Sequence, residues 1–325
     1  MATIRRARRG SALLAVLWLS AALAVIGFSV ANTVRGETER TETSLDGLRS
    51  YYLAVAGVER SSMELLWSVN NPTLHILPPA ATTVVYPFET GDVRVEILPE
   101  AGKLDINHAP VEQLFRLVTA LGLDSSRAEE ISAAIEDWRK PASEGSPFDL
   151  YYLSQVPSFR ARHASFNEIE ELLQVKGVTP DIFYGSYLPA LEGGIGPRLV
   201  WHPGLADCLT VYGSGNRVDV NTAQPAVLMA VGVSPEAAEA IVERRREAPI
   251  RLEQLGGLVA SLGVQAPLRV GGNSIVTMRA TAQLRLANGK LSDLKRTVAA
   301  QVKYMPPSYD APVHILRWYD TAWSN

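Results

Sequence analysis

The chain has 325 residues, of which 47% are hydrophobic and 20% charged, and its formal net charge is −3. This length provides material for about two domains beyond a membrane anchor. A single cysteine excludes an intrachain disulfide, and the acidic balance argues against nucleic acid as a partner.

A basic segment and then an apolar segment open the chain. Four arginines precede Gly10, and no ionisable side chain occurs from Ser11 to Val34. About 20 apolar residues in a helix suffice to span ~30 Å of hydrocarbon, and a basic flank stays on the cytoplasmic side. The sequence therefore predicts one membrane helix, with the rest of the chain across the membrane.

The junction of these segments resembles the class III signal of type IV pilins and type II secretion pseudopilins. The resemblance implies that a prepilin peptidase cuts between Gly10 and Ser11 and methylates the new N-terminus. An ordinary secretory signal would place its cleavage site after the apolar run, and a plain signal-anchor helix is the simpler alternative. Without the four leader arginines the mature chain has 27 basic and 34 acidic residues, a net charge of −7.

Ala15 departs from the commonest pilin pattern. The fifth residue after the proposed cut is usually glutamate in that family, where it is thought to neutralise the N-terminus of a neighbouring subunit. An unpaired charge in hydrocarbon costs several kcal/mol. A subunit with alanine here is expected at the tip of a filament, and the resemblance narrows to the protein K family of pseudopilins.

An amphipathic pattern continues the apolar helix. Apolar residues recur every three or four positions from Leu45 to Leu66, and no proline occurs between Ser11 and Val69. One helix of ~90 Å is predicted. Thr83 to Phe88 and Asp92 to Leu98 then alternate as short strands. A long helix followed by antiparallel strands resembles the pilin body.

The middle of the chain, from Gly102 to about Gly263, contains an internal duplication of a small helical unit. The first copy carries about 28 additional residues, mostly between Glu136 and Ser165. The matched pairs are Asp105 and Asp219, Asn107 and Asn221, Ala109 and Ala223, Leu114 and Leu228, Gly122 and Gly232, Ala128 and Ala238, Phe166 and Leu252, Ile169 and Leu255, Leu172 and Leu258, and Gly177 and Gly263.

The opening of each copy resembles helix-hairpin-helix and SAM-like modules, including those of competence DNA receptors. Such modules bind phosphate through backbone amides near a helix N-terminus. The hairpins here, at 122–124 and 232–234, lack the second glycine of that motif, and the basic run Arg244 to Arg246 is flanked by glutamates. A solvated helix face explains the arginines better, so DNA uptake is the alternative function.

Longer phrases extend the resemblance to the type II secretion protein K family over nearly the whole chain. These phrases are 134–139, 151–153, 166–172 and 218–223. The resemblance implies a pilin-like domain interrupted by a large helical insertion. It also implies a role at the tip of the pseudopilus with minor pseudopilins I and J as partners.

The additional residues of the first copy offer one candidate metal site. Asp137, Glu144 and Asp149 lie within thirteen residues on a loop rich in proline and glycine, and oxygen ligands of this kind suit calcium. Calcium in this domain is also what the family implies. Arg139 and Lys140 stand where the family usually has acids, and the spacing does not fit an EF-hand. The alternative is a solvated loop held by Phe148, Tyr151 and Tyr152.

The clearest predicted hairpin comes after Gly271. Val276 to Leu286 and Val298 to Tyr304 alternate around Asn288-Gly289, which favours a type I′ turn. This hairpin is expected to pair with the strand Asp92 to Leu98 and so to close one sheet across the insertion. His314 to Tyr319 is predicted as a last strand, with Trp318 and Trp323 covering the sheet or facing a partner.

No catalytic set is found in the sequence. The five histidines are scattered without ligand spacing, and Cys208 has no acid–base partner nearby in sequence. The run Gly193 to Gly196 is followed by Pro197 and not by a helix with Lys-Ser, so it is interpreted as a linker. We therefore expect neither an enzyme nor a bound cofactor other than calcium.

The predicted architecture is α+β: a type IV pilin-like domain with an inserted all-α domain of two SAM-like or helix-hairpin-helix-like repeats. The expected function is that of a minor pseudopilin in protein secretion, held in the bacterial inner membrane with its body in the periplasm. A prepilin peptidase and the inner-membrane assembly platform are the other expected partners. The predicted segments are the leader 1–10, the membrane helix 11–34, the first pilin-like part 35–101, the first repeat with its loop 102–203, the second repeat 204–270 and the C-terminal strands 271–325.

Overall fold

The computed structural model of the chain describes residues 9–71, 83–142, 145–189, 199–213, 215, 217–272, 274–305 and 309–322. Predictions for the arginines at 5, 6 and 8, for Glu144, for the glycine-rich run 193–196 and for Trp323 lie outside these residues. So does His75.

One helix, α1 (Arg9–Asn70), forms the N-terminal part of the fold. It has no internal proline, and at ~1.5 Å per residue its 62 residues extend over ~93 Å. The large apolar side chains from Leu13 to Phe28 are 56–76% exposed, and α1 is the one described helix long and apolar enough to cross a membrane. The long predicted helix is thus confirmed.

A five-stranded antiparallel sheet packs against the second half of α1. Its order along the sheet is β1 (Thr83–Phe88), β2 (Gly91–Pro99), β9 (Ile275–Arg285), β10 (Leu291–Tyr304) and β11 (Val313–Tyr319). The predicted pairing of the C-terminal hairpin with β2 is confirmed, with Val95 opposite Ala280. Strands 2 and 9 meet although more than 170 residues separate them in sequence.

The sheet has one apolar and one polar face, as its alternating sequence requires. Alternate residues of β2, β9 and β10 pack with Leu53, Ala54 and Val58 of α1 into one buried cluster. The other face carries Glu96, Arg279, Thr297 and Gln301, among others. Gly57 allows the helix to approach the sheet closely, because a Cβ at this position would lie 2.4 Å from Cγ1 of Val93.

The segment between β2 and β9 folds around a second, separate buried cluster. Its helices are α2 (Val111–Ala120), α3 (Ser125–Arg139), α4 (Asp149–Leu153), a 3₁₀ helix (Ile169–Gln174), α5 (Pro180–Tyr184), α6 (Leu205–Cys208), α7 (Pro225–Ala230), α8 (Pro235–Glu247) and α9 (Leu252–Ser261). Its short strands are β3 (Leu104–Asp105) parallel to β6 (Leu209–Thr210), β4 (Gly185–Pro189) antiparallel to β5 (Leu199–Pro203), and β7 (Val218–Asp219) parallel to β8 (Leu268–Arg269).

Two local expectations were wrong. The segment was expected to be all helical, but β4 and β5 form a hairpin between the two repeats, and two parallel strand pairs close the repeats. The turn at Asn288-Gly289 is not type I′, since that turn needs positive φ at both central residues and only Gly289 has it, at 80°. Leu286 accepts from Gly289 and donates to Lys290, which makes a wider turn.

The polar face of the sheet contacts the inserted segment through buried charges. Arg279 reaches Glu96 at 3.3 Å and Asp207 of α6 at 3.8 Å. Glu100, only 3% exposed, accepts from Lys103 and from Oγ1 of Thr277. The insertion therefore rests on the sheet through ion pairs and hydrogen bonds, in contrast to the apolar contact between the sheet and α1.

Candidate functional site

Two hydrogen-bonded arrangements, one made by an asparagine and one by an arginine, occur in both repeats. The side-chain amide of Asn107 exchanges two hydrogen bonds with the main chain of Phe166, at 2.7 and 3.0 Å. Asn221 does the same with Ile250, at 2.8 and 2.9 Å. The structural equivalent of Phe166 is therefore Ile250 and not Leu252, because the second repeat is two residues shorter at this point than the sequence match suggested.

An arginine performs the same task in each repeat. The guanidinium of Arg139 donates to the carbonyl oxygens of Ile106 and Ala109 at 2.5 and 2.6 Å. That of Arg245 donates to those of Val220 and Ala223 at 2.9 and 2.7 Å. These bonds satisfy buried carbonyls at the turn that leads into α2 or α7.

The basic run in α8 is thereby explained. Arg244 and Arg246 face solvent and pair with Glu247 and Glu243, whereas Arg245 turns inward. Burial lowers the pKa of Arg245. A phosphate would have to compete with these partners, so the three arginines do not form a free basic patch.

The two hairpins that could have bound phosphate already have acceptors of their own. Gly122 and Gly232 have φ of 94° and 103°. The carboxylate of Asp124 accepts from the amide of Arg127, and the hydroxyl of Ser234 accepts from that of Ala237. Both helix N-termini are thus capped from within the chain.

The loop that carries the predicted metal ligands brings Asp137 and Asp149 together through Ser146. The Ser146 hydroxyl donates to Oδ1 of Asp137 at 2.6 Å, and its amide donates to Oδ2 of Asp149 at 3.0 Å. His163 contacts Oδ1 of Asp149 and the carbonyl oxygen of Asp137, each at 3.2 Å. Sequence reasoning missed Ser146 and His163, and only a serine in a Gly-Ser-Pro turn could have indicated the first.

The carboxylate of Asp149 has a partner within the loop, the His163 ring. Burial would lower the pKa of His163, but the bonds to Asp149 and to the Asp137 carbonyl outweigh burial and raise it. The His163 ring and then the Ser146 amide lower the pKa of Asp149. In its protonated form His163 would place a positive charge beside Asp149, where a metal ion would otherwise supply one.

The fit of calcium to this loop follows from these contacts. Calcium takes six to eight oxygen ligands, and three of the four carboxylate oxygens of Asp137 and Asp149 already accept protein donors. Oδ2 of Asp137 is buried and has no hydrogen-bond partner in the described part of the loop. No cluster of three metal-binding side chains occurs among the described residues. Of these four carboxylate oxygens, only Oδ2 of Asp137 would thus be available to calcium.

Of the three aromatic residues expected to hold the loop, Tyr152 is buried and Phe148 packs against the same core, whereas Tyr151 is 37% exposed. Tyr152 is fully buried and Trp138 lies 5.5 Å from it, edge to face. Trp138 also stacks on Phe166 at 6.2 Å. Leu150 and Val156, which are 80% and 98% exposed, point away from this cluster.

The remaining candidate groups make no catalytic arrangement within the described residues. Burial raises the pKa of the Cys208 thiol, and Cys208 is fully buried. His108 contacts Asp105 at 2.8 Å, a side-chain contact across the turn that Thr222 and Asp219 repeat in the second copy. These groups are parts of the fold.

Gly10 and Ser11, the predicted processing residues, lie in the first turn of α1. Further along α1, a second apolar stripe lies opposite the face that packs on the sheet. It consists of Leu45, Leu48, Tyr52, Met63 and Trp67, which are 45–71% exposed. Their spacing of three, four, eleven and four residues keeps them on one side of the helix.

Comparisons with known proteins agree with this architecture. Residues 95–186 match the family model described as type II secretion system protein K. The chain is 27% identical over 203 residues to type II secretion system protein K of Pectobacterium carotovorum, covering 55% of this chain and 61% of that protein. It is 24% identical over 197 residues to the protein K of Pseudomonas aeruginosa, covering 53% of this chain and 59% of that protein. The matches thus span about three fifths of these relatives.

The fold also resembles a solved structure. A chain in the crystal structure of the GspK–GspI–GspJ complex from the enterotoxigenic Escherichia coli type 2 secretion system superposes with a TM-score of 0.58 at 14% identity. The superposition covers 88% of this chain and 100% of that one. No comparison favours a DNA-uptake protein. Over the matched regions the chain is similar to type II secretion system protein K, and it shares the fold of a chain in the GspK–GspI–GspJ complex.

Proposed function

We propose that the chain is a minor pseudopilin at the tip of a type II secretion pseudopilus, where it starts assembly and takes part in protein secretion. The observation that carries the proposal is the arrangement of a pilin-like helix and sheet around an insertion that includes most of the region matching the protein K family model. The chain acts as a structural component, and its side chains are used for packing and not for chemistry.

The tip position is supported by two features. Ala15 supplies no carboxylate for the N-terminus of a following subunit, and the insertion adds a second folded body beside the sheet. A subunit within the shaft would need contacts above and below it. A subunit at the tip needs them on one side only.

The partners we infer are minor pseudopilins I and J. The structure that this chain resembles is a complex of the corresponding proteins of another bacterium. The exposed stripe of Leu45, Leu48, Tyr52, Met63 and Trp67 offers a surface for a second amphipathic helix. Such a contact would continue the line of the membrane segment into the periplasm.

Membrane insertion and processing complete the proposal. The apolar part of α1 would store the subunit in the inner membrane, with the N-terminus cytoplasmic and the body periplasmic. A prepilin peptidase would cut after Gly10 and methylate Ser11, and the assembly platform would then extract the subunit. The predicted segment boundaries and the SAM-like or helix-hairpin-helix-like class of the two repeats belong to the same proposal.

Replacement of Gly10 by aspartate tests this function. We expect Gly10→Asp to leave the precursor uncut and to abolish secretion by the host's type II system, because the peptidase requires the small residue. Gly36→Asp is the matched control, since a Cβ added at Gly36 meets no atom within 4 Å. Mass spectrometry of the N-terminus and an assay of secreted protein give the two readouts. A normally processed Gly10→Asp chain would contradict the assignment.

We also propose that calcium binds at Asp137, Glu144 and Asp149. The site is supported by Oδ2 of Asp137, which is buried without a hydrogen-bond partner among the described residues. A bound calcium ion would supply the positive charge to pair with this oxygen. With about 5 mM calcium, a site of extracellular affinity should raise the melting temperature relative to EDTA, and Asp137→Asn should abolish the increase. An equal melting temperature in calcium and EDTA would remove the metal from the proposal.

A further inference from the structure

Three connections of the chain meet where the insertion leaves and rejoins the sheet. One leads from β2 to β3, one joins β6 to β7, and one joins β8 to β9. Together they line a cavity of about 40 Å³, which is larger than the ~15 Å³ that one water molecule requires. The cavity therefore has room for a small ion.

The described lining of this cavity is rich in hydrogen-bond donors. Its donor side chains are Lys103, Tyr212, Arg217, Arg269 and Ser274. Glu100 is the one carboxylate among the described lining residues, and its Oε1 already accepts from Nζ of Lys103 at 3.1 Å and from Oγ1 of Thr277 at 2.6 Å. Three positive groups and one negative group leave a formal charge of +2 at the cavity.

The two arginines supply most of this positive charge. Lys103 is paired with Glu100 and also lies close to Asp207, so its charge is largely balanced within the fold. Arg217 lies exposed at the rim, and its guanidinium makes no hydrogen bond or ion pair with any residue that the structure describes. A ligand in the cavity can therefore reach Arg217 without displacing a partner.

The acids next to the cavity are held by donors of their own turns. Neither Asp105 nor Asp219 lines the cavity. The carboxylate of Asp105 accepts from the amide of Asn107 at 2.9 Å. That of Asp219 accepts from the Thr222 hydroxyl at 2.8 Å and from the Gly271 amide at 3.0 Å. An anion in the cavity would thus not face either of these carboxylates.

Gly272 keeps space open beside the guanidinium of Arg269, and both residues line the cavity. The φ of Gly272 is 96°, a conformation that glycine adopts more readily than other residues. A Cβ at this position would lie 2.7 Å from Cζ of Arg269 and 2.9 Å from Nη2. Any other residue would cover this side of the guanidinium, so glycine leaves it accessible.

We propose that this cavity binds one free, doubly charged oxyanion of the phosphate or sulfate type. A guanidinium presents its N–H groups as a planar fork that matches two oxygens of such an ion, whereas chloride offers a single centre. The hydroxyls of Tyr212 and Ser274 donate to the remaining oxygens. The ion joins the connections that leave and re-enter the sheet, so it stabilises the insertion on the helix and sheet. The site belongs to the folded chain and does not rest on the proposed function.

Arg217 provides the test, because removing its charge breaks no bond within the described structure. Binding of phosphate to the full-length chain in a neutral detergent is measured by calorimetry. We expect Arg217→Gln to weaken phosphate binding at least about tenfold. Arg246→Gln is the matched control, since it removes the same charge from an exposed arginine that pairs with Glu243 away from the cavity. Its affinity for phosphate should equal that of the wild type.

Two further measurements locate the ion and identify its chemistry. About 10 mM phosphate or sulfate should raise the melting temperature of the wild-type chain relative to chloride at equal ionic strength. Hydrogen exchange of the peptides 99–104 and 268–272 should slow in phosphate for the wild type and stay unchanged for Arg217→Gln. Glycerol 3-phosphate, which carries the same group on a larger molecule, should bind at least about tenfold more weakly than phosphate.

The outcomes that would overturn the proposal are distinct. Equal melting temperatures in phosphate and chloride would show that no oxyanion site exists. An equal loss of affinity in Arg217→Gln and Arg246→Gln would show attraction to the overall charge and not to this cavity. Slowed exchange confined to other peptides would place the ion elsewhere. Equal binding of glycerol 3-phosphate would assign the surface to larger phosphate compounds, such as lipid head groups, and not to the free ion.

Discussion

Arg139 and Arg245 each close a turn whose carbonyl oxygens are shielded from water. We expect Arg139→Met and Arg245→Met each to lower the free energy of unfolding by ~2–4 kcal/mol, because two buried acceptors lose their donors at once. Arg246→Met is the control, since Arg246 is exposed and pairs only with Glu243. Its effect should stay within ~0.5 kcal/mol. Urea unfolding followed by tryptophan fluorescence measures all three.

An equal effect of Arg245→Met and Arg246→Met would show that the inward bonds of Arg245 do not form. The variant Arg245→Lys tests whether the positive charge of the side chain is enough or whether its planar shape is also needed. A lysine keeps the positive charge but lacks the planar fork that reaches two carbonyls, so Arg245→Lys should recover only part of the loss.

Residue-level prediction from the sequence succeeded where neighbours in sequence decide the outcome. The acids around Arg244 and Arg246 indicated a solvated face, and both arginines pair with those acids. The inward turn of Arg245 depends on carbonyls more than 20 residues away. In the same way, Ser146 bonds to both Asp137 and Asp149, which are close in sequence, but His163 contacts them from more than ten residues away, which no local spacing reveals.

Helix α1 and the sheet meet at their closest point at Gly57. We expect Gly57→Ala to destabilise the chain by ~1–3 kcal/mol, because the new methyl group would overlap Val93. Gly47→Ala is the matched control in the same helix. Its added Cβ meets nothing within 4 Å, so the better helix propensity of alanine should stabilise by up to ~1 kcal/mol.

The cause of the Gly57 effect can be isolated by a double variant. Val93→Ala removes the atom that the new methyl group would meet, so the double variant should lose less than the sum of the two single losses. Melting temperatures of the full-length chains in detergent provide the comparison. If the losses of the two single variants simply add, the strain does not come from contact between the new methyl group and Val93.

For helices and strands, the length of the element and the clarity of its hydrophobic periodicity decided whether the sequence predicted it. α1 and the strands of the large sheet are long enough to show a clear periodicity, and their predicted bounds agree with the structure to within about two residues at most ends. β4 and β5 have five residues each and begin or end at glycine and proline, so they resemble loop sequence. The two-residue strands β3 and β7 exist only through their parallel partners.

The whole molecule has two buried cores that meet across charged groups. Burial raises the pKa of Asp207 more than Lys103 and Arg279 lower it, so this junction is not a strongly favourable ion cluster. The face of the sheet beneath the insertion carries Thr277, Arg279 and Gln301, which water can solvate. The sheet therefore does not depend on the insertion for an apolar partner.

The insertion leaves and rejoins the sheet at adjacent positions, since Pro99 lies opposite Val276. An Asn-Gly turn in place of residues 100–275 should therefore join β2 to β9 as a simple hairpin and leave the helix and sheet folded. Circular dichroism and a cooperative thermal transition of this shortened chain in detergent give the first readout. A molten, non-cooperative chain would show that the insertion supports the sheet.

The shortened chain also separates the two features that favour the tip. If bulk and the missing carboxylate each exclude the subunit from the shaft, neither the excision alone nor Ala15→Glu alone should place it there. The combined variant has a pilin-sized body and a carboxylate for the following N-terminus, so we expect it along the shaft. Immunogold labelling of pseudopili distinguishes the four chains. Shaft labelling by the excised chain with Ala15 unchanged would show that steric bulk alone sets the tip position, because the carboxylate would then be dispensable for elongation.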